Sequence, residues 1–368
     1  MKKMKQKMIC IAISMMVLMS GLIAQKDPVD TLIRNIMQKS KIPGLQLAVI
    51  RNGKIIKLGS YGLASVEFNI PVTRGTVFPI NSMTKAFTGV ALMQLVEAGK
   101  LELSAPLSQY LDSLPEAWKG VTILQLSTHL SGLPDIVDGN MGLIDPRGEE
   151  ASLLKAEGLP IDGKPGEQFR YNQLNYALLG RVIQKLSGET FEQFITARQF
   201  RIAGMPSTAY HDSRDVVPHM GRTYTYLRFT SDDVLLTDSL MARYEEIPPI
   251  IRTAAGIYTT AEELAHWIIA IQGQKLLKKQ ESLKRMWTPG RLSNGQTAGF
   301  SDLLNGYAIG WPVVTRPEHS AIATVGGERA GLFLYPGDGI TVIVLTNLMG
   351  ASPQAFIDQI AAYYFKKW

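Results

Sequence analysis

Cysteine is almost missing from this chain: there is one, Cys10, inside an apolar stretch near the start. Beyond that stretch, a disulfide framework, a cysteine-ligated metal and a thiol nucleophile are therefore excluded. Histidine is scarce as well. The five residues (His129, His211, His219, His266 and His319) have no ligand spacing, so no metal and no cofactor are expected. There is no Gly-x-Ser-x-Gly elbow, no His-Glu-x-x-His, no phosphate-binding glycine loop and no dinucleotide fingerprint. Internal repeats, low-complexity tracts and long runs of like charge are lacking too.

What stands at the start is a leader. Met1–Lys7 holds four lysines and no acid, and the 17 residues Met8–Ala24 are apolar or small throughout. A basic head, a short apolar run and a small final residue read as a secretory signal peptide cut near Ala24. The run is shorter than the roughly 20 residues that span a bilayer. An exported protein, periplasmic or secreted, without stable membrane insertion is the expectation. Its formal charge of +6 then shrinks, because 34 basic residues face 32 acidic ones once the leader lysines are gone. That balance gives no electrostatic footprint for nucleic acid. Without disulfides, the remaining chain must be held by an ordinary apolar core.

Hydropathy patterning gives the organisation. Asp30–Ser40 reads as a short amphipathic helix before Pro43-Gly44. Leu45–Arg51 and Lys54–Tyr61 read as strands joined by Asn52-Gly53, a strong hairpin signal. Lys85–Ala98 is apolar nearly all round, which describes a helix buried on every side. Helical periodicity recurs in Thr122–Leu130, Asn172–Leu186, Thr190–Phe200 and Thr260–Ile271. Strands return at Tyr307–Thr315, Ile322–Val325, Ala330–Tyr335 and Ile340–Thr346, and Ser352–Phe365 reads as a closing helix capped by Ser352. Strands at both ends with helices between predict an α+β fold: an antiparallel sheet flanked by helices, built from 25–81 and 249–368, with an all-helical domain inserted over 82–248.

One short pattern carries chemistry. In Ser82-Met83-Thr84-Lys85, positions i and i+3 share a helix face, so hydroxyl and ammonium are neighbours. A lysine desolvated by apolar neighbours has a depressed pKa and can help remove the serine proton. Ser82 stands at a helix start, where free N–H groups favour developing negative charge. The pattern recurs as Ser152-Leu153-Leu154-Lys155, but there it follows Gly148-Glu149-Glu150 in a polar stretch, and Ser152 reads as a surface residue.

Pro79-Ile80-Asn81-Ser82-Met83-Thr84-Lys85-Ala86-Phe87-Thr88 resembles the nucleophile segment of the serine β-lactamase-like, penicillin-binding family (class C β-lactamases, D,D-peptidases and family VIII esterases). Four further stretches match in order: Gln125–Pro134, Pro165–Tyr176, Thr253–Ala261 and Tyr307–Trp311. The resemblance implies a β-lactamase/transpeptidase-like fold, with Ser82 as acyl-accepting nucleophile, Lys85 as its activating neighbour and Tyr171 as proton shuttle. Tyr176 and the His129–Ser131 loop read as structural. Gln173 stands where the family usually has a substrate-touching Asn, one methylene longer with the same donors and acceptors. The family's third motif, a cation on a strand, corresponds to Thr324-Val325-Gly326-Gly327, which has none. The Ser82 and Gly327 N–H groups are the expected oxyanion hole. Gln173, Thr324, Gly326 and Arg329 are the expected substrate contacts, with Arg329 the alternative source of positive charge.

The function expected is hydrolysis of an ester or amide through a Ser82 acyl-enzyme. The missing cation favours small uncharged acyl groups, ahead of β-lactams and then D,D-peptides. The competing reading is a penicillin-binding-type module that binds peptidoglycan fragments or a partner without turnover. Oligomeric state has no signal in the sequence.

Overall fold

The computed structural model describes residues 27–138, 142–230 and 233–365; the expected leader, 1–24, lies outside them. The chain opens with helix α1 (Pro28–Lys39), where the Asp27 carboxylate accepts from the Val29 N–H and a proline occupies the first position. Helix α2 (Thr84–Glu97) is buried on all sides through its first ten residues, as its unbroken apolar pattern predicts. Helices α3 (Glu149–Glu157), α4 (Leu174–Ser187), α5 (Ala261–Gln272) and α6 (Ile357–Ala361) follow.

In chain order the strands are β1 (Gly44–Arg51), β2 (Lys54–Ser65), β3 (Ile70–Pro71), β4 (Phe78–Pro79), β5 (Ala209–Tyr210), β6 (Tyr224–Phe229), β7 (Val234–Ala242), β8 (Ile257–Thr259), β9 (Gly306–Tyr307), β10 (Pro312–Val314), β11 (Ala321–Gly326), β12 (Ala330–Tyr335), β13 (Ile340–Thr346) and β14 (Leu348–Met349). The main sheet has eight strands in the order β3-β2-β1-β13-β12-β11-β10-β9. Its centre joins the two ends of the chain, with Leu45 opposite Thr346 and Arg51 opposite Ile340. Side chains alternate between its faces. Leu45, Leu47 and Val49 pack against α1 and α6 on one side, while Ala48 and Ile50 join the larger core around α2, α4 and α5 on the other. The α+β class expected from the sequence is the fold observed.

The inserted span carries strands in addition to helices. Hairpin β6–β7 pairs with β14; its signal, the alternation of Thr223-Tyr224-Thr225-Tyr226, lies between stretches that read as loop. Other elements depart locally from expectation. The helix over Thr122–Leu130 ends at Ser127, because His129 takes a left-handed φ of 58°. The strand over Tyr307–Thr315 is cut in two by a turn, closed by the Ala308 N–H on the Trp311 carbonyl at 2.7 Å. Ser352 caps no helix. Its N–H bonds the Glu328 carbonyl at 2.8 Å, its φ is 47°, and a 3₁₀ turn over Pro353–Ala355 precedes α6.

One polar residue interrupts the apolar run of β1. Gln46, 2% exposed, donates to the carbonyls of Thr73 (2.6 Å) and Thr76 (2.9 Å) and accepts from the Ala261 N–H (2.9 Å). It fastens the sheet to the approach of β4 and to the start of α5. Gln46→Met keeps the volume but strands these buried groups, and should destabilise the fold by about 2–3 kcal/mol, read as a lower urea midpoint at unchanged m-value.

Candidate active site

Ser82 is placed from two sides. Strand β4 pairs with β8, and the Ile80 N–H continues the pairing onto the Ile257 carbonyl at 3.0 Å. Asn81 then turns the chain with a φ of 44°, and Asn81–Met83 form a 3₁₀ turn running into α2. From the other side comes the end of β11. A Cβ on Gly326 would lie 1.9 Å from the Ile80 carbonyl oxygen, so only glycine permits this approach. Gly327 and Glu328, both with positive φ, make the tight turn into β12 that the twist of a hairpin favours. The two elements bearing the Ser82 and Gly327 amides thus meet at van der Waals contact. Thr324 is buried, on the same face of β11 as Gly326.

Lys85, in the first turn of α2, is 1% exposed. Its Nζ lies 3.4 Å from Ser82 Oγ, 2.9 Å from Gln173 Oε1 and 3.3 Å from the Ala254 carbonyl. The rings of Tyr171 and Tyr176 lie 4.6 and 5.2 Å from it. Burial pushes the amine down to about 7, with the charge of Asp135 opposing. A neutral amine has two N–H groups, and two of its neighbours, Gln173 Oε1 and the Ala254 carbonyl, can only accept. Its lone pair is then left facing the Ser82 hydroxyl.

Tyr171 is half-buried, with its phenol near enough to the side chains of Ser82 and Gln173 for both to act on its ionisation. A neighbouring ammonium by itself would lower the pKa of a phenol, but desolvation acts the other way. Burial raises it, outweighing the opposing influence of the Ser82 and Gln173 side chains, so at neutral pH the phenol is protonated. Gln173, 4% exposed, accepts from Lys85 and lies beside Tyr171.

Two groups that hold this cluster were missed in the sequence. The carboxylate of Asp135, next after the matching stretch Gln125–Pro134, accepts from the N–H groups of Gln173 (2.9 Å) and Leu174 (3.3 Å) at the start of α4. Burial raises its pKa, against the pull of these amides. By capping α4 from outside, Asp135 releases the Gln173 side chain to face Lys85. The second is Glu245, which reads in Arg243-Tyr244-Glu245-Glu246 as surface charge. It forms a two-pronged pair with Arg329 at 2.7 and 3.0 Å.

That pair decides the fate of Arg329 as a substrate contact. Its side chain is fully buried and its guanidinium is engaged by Glu245, so it offers no charge to a ligand. His129 is buried and supports the tyrosine segment. Its carbonyl accepts from the Arg170 N–H (2.9 Å) and its Nδ1 from the Asn172 N–H (3.3 Å), while burial holds it neutral. Ser152 is not a surface residue. It is buried, accepting from the Asp145 N–H at 3.0 Å and donating to the Asp145 carbonyl at 3.2 Å, while Lys155 reaches the Ile144 carbonyl instead.

A model of the β-lactamase family matches residues 29–363. The chain belongs to that family. Membership supports serine-hydrolase-type function in general terms. Protein flp of Staphylococcus aureus (strain MRSA252) is 26% identical over 88% of this chain, which spans 63% of that relative's length. Among solved structures, a penicillin-binding protein from Bacillus halodurans superposes with a TM-score of 0.75 at 27% identity, over 91% of this chain and 100% of that one. A class C β-lactamase superposes at 0.77 and 21% identity, over 93% and 97% of the two chains, which speaks for the fold alone. Among the described residues no helix is long and apolar enough to cross a membrane.

The depressed lysine has two consequences for pH. Reaction of Ser82 with a fluorophosphonate is expected to accelerate as pH rises through about 7 and then level off, as the amine loses the proton that keeps it from accepting another. The unfolded lysine, near 10.5, keeps a proton between pH 7 and 10.5 that the folded one has released. Stability due to this group therefore rises with pH across that window. Lys85→Met should accordingly gain most over the wild type at pH 7 and lower, and progressively less toward pH 10, as read by urea unfolding at several pH values.

Proposed function

We propose that this chain is an exported serine hydrolase that forms an acyl-enzyme on Ser82. The observation carrying it is the buried Lys85 amine, whose two dedicated acceptors aim its lone pair at the Ser82 hydroxyl. Lys85 takes the serine proton as Oγ attacks a carbonyl carbon. The resulting ammonium has an acceptor for each of its three N–H groups, and the rings of Tyr171 and Tyr176 face the charge. The oxyanion forms against the amides of Ser82 and Gly327. Tyr171, neutral and beside Ser82, donates its proton to the leaving group and is resupplied by Lys85. Water then enters along the same path in reverse, and the acyl group leaves as an acid.

The substrate class follows from charge. Thr324 brings no cation to the end of β11, and Arg329 is neutralised by Glu245, so nothing there recognises a substrate carboxylate. Phe300, 43% exposed, sets its ring 4.9 Å from that of Tyr171 and offers an apolar edge instead. Esters or amides of small uncharged acyl groups fit this mouth best, with β-lactams second and D,D-peptides third.

Intact-protein mass spectrometry after exposure to a fluorophosphonate, and separately to a penicillin, tests the reading. A fluorophosphonate adduct on Ser82, lost in Ser82→Ala and retained in Ser152→Ala, is expected, without a lasting penicilloyl adduct. A persistent penicilloyl adduct would move the substrate to β-lactams. Failure of both reagents to label folded protein would leave the non-catalytic binding module as the better account.

A further inference from the structure

The two amides of the proposed oxyanion hole come from elements far apart in the chain, and a third element joins them. Glu245 lies between β7 and the 3₁₀ turn Pro249–Ile251. Its main chain is clamped to Ser213, through its N–H on Ser213 Oγ at 2.9 Å and the Ser213 N–H on its carbonyl at 3.0 Å. Its carboxylate reaches both ways. Oε2 accepts from the side-chain amide of Asn81, the residue before Ser82, at 3.3 Å. Both oxygens take the guanidinium of Arg329, whose Nε in turn donates to the Gly327 carbonyl at 3.2 Å. Arg243 Nε stands 3.9 Å from Oε1. A continuous polar chain thus runs Asn81–Glu245–Arg329–Gly327, bridging the residue next to one amide and the residue bearing the other.

We propose that Glu245 is a positioning residue for the oxyanion hole, setting the spacing of the Ser82 and Gly327 amides through Asn81 and Arg329. The inference rests on the acyl-enzyme reading above. Three physical arguments support it. A buried ion pair is seldom better for stability than apolar residues of the same volume, so its retention calls for another use. The fork-to-carboxylate geometry is directional and fixes orientation as well as distance. Asn81, one of the residues so held, has a positive φ of +44°, a conformation that in a non-glycine residue needs support from its surroundings. The contact between Gly326 and the Ile80 carbonyl limits how close the two elements come; Glu245 limits how far apart they drift.

The test compares hydrolysis of 4-nitrophenyl acetate with that of its thiono analogue, in which sulfur replaces the carbonyl oxygen and bonds poorly to the hole. Loss of an entire hole donor costs about 10²–10³ in rate, and a displaced one should cost less. Glu245→Gln should lower the acylation rate constant for the oxygen ester by about tenfold or more. Ester binding should move by less than about threefold, and the thiono ester should lose little, so that the oxygen-to-sulfur preference collapses. Asn81→Gly, which accepts the positive φ freely and removes only the amide, should move the preference in the same direction, and it serves should Glu245→Gln fail to fold. Equal losses on both esters, or an unchanged preference in the folded variants, would overturn the proposal while Ser82 labelling upholds the hydrolase reading. A wild type that no fluorophosphonate labels would take both down.

Discussion

An amine without water is stable in its charged form only where neighbouring groups replace the lost hydration, and Lys85 meets that condition half-way. Three oxygens and two aromatic faces surround it, enough to shelter a transient charge. Burial in α2 is complete enough to bring the amine's pKa down to about 7. Much of the site is arranged around this balance. Gln173 can attend to Lys85 because Asp135 caps α4 in its place. The His129 loop holds the Tyr171 segment where its ring meets the amine. Tyr171 stays protonated for the same reason that Lys85 is easily deprotonated: both lose water, and burial disfavours the charged form of each. An acid and a base thus stand side by side at one pH.

The end of β11 follows a different logic. A strand end that offers a cation can read a carboxylate on its substrate. Here Thr324 holds no charge, and the cation five residues further along, Arg329, is closed off by Glu245. Charge that could have selected a ligand instead braces backbone. Beside Tyr171 the exposed ring of Phe300 leaves an aromatic edge.

What could be read from the sequence divides along physical lines. The Ser82–Lys85 pair, the buried helix behind it and the strands of β1 and β11–β13 are set by local periodicity, which a linear pattern displays. The duplicate pair at Ser152 was read as surface and is buried, since a polar neighbourhood in sequence does not decide burial in space. Arg329 and Glu245 were opaque because their meaning lies in pairing across 84 positions. Asp135 was opaque because capping from a distant loop leaves no trace in the helix it caps. The raised pKa of Tyr171 is likewise invisible in a motif, because desolvation depends on the whole surround.

The sheet's centre bears on how the chain reaches this state. β1 pairs with β13, and the Gly44 N–H is received by Asn347, 303 positions later. No ribosome or export channel can present both partners until nearly the whole chain has emerged. Until then the first strand has its hairpin partner β2 on one edge and an open edge on the other, and the closing step carries the entropic cost of a very long loop. A topology that delays its own completion in this way leaves the cleft around Ser82 and Lys85 unformed until both ends of the chain are available.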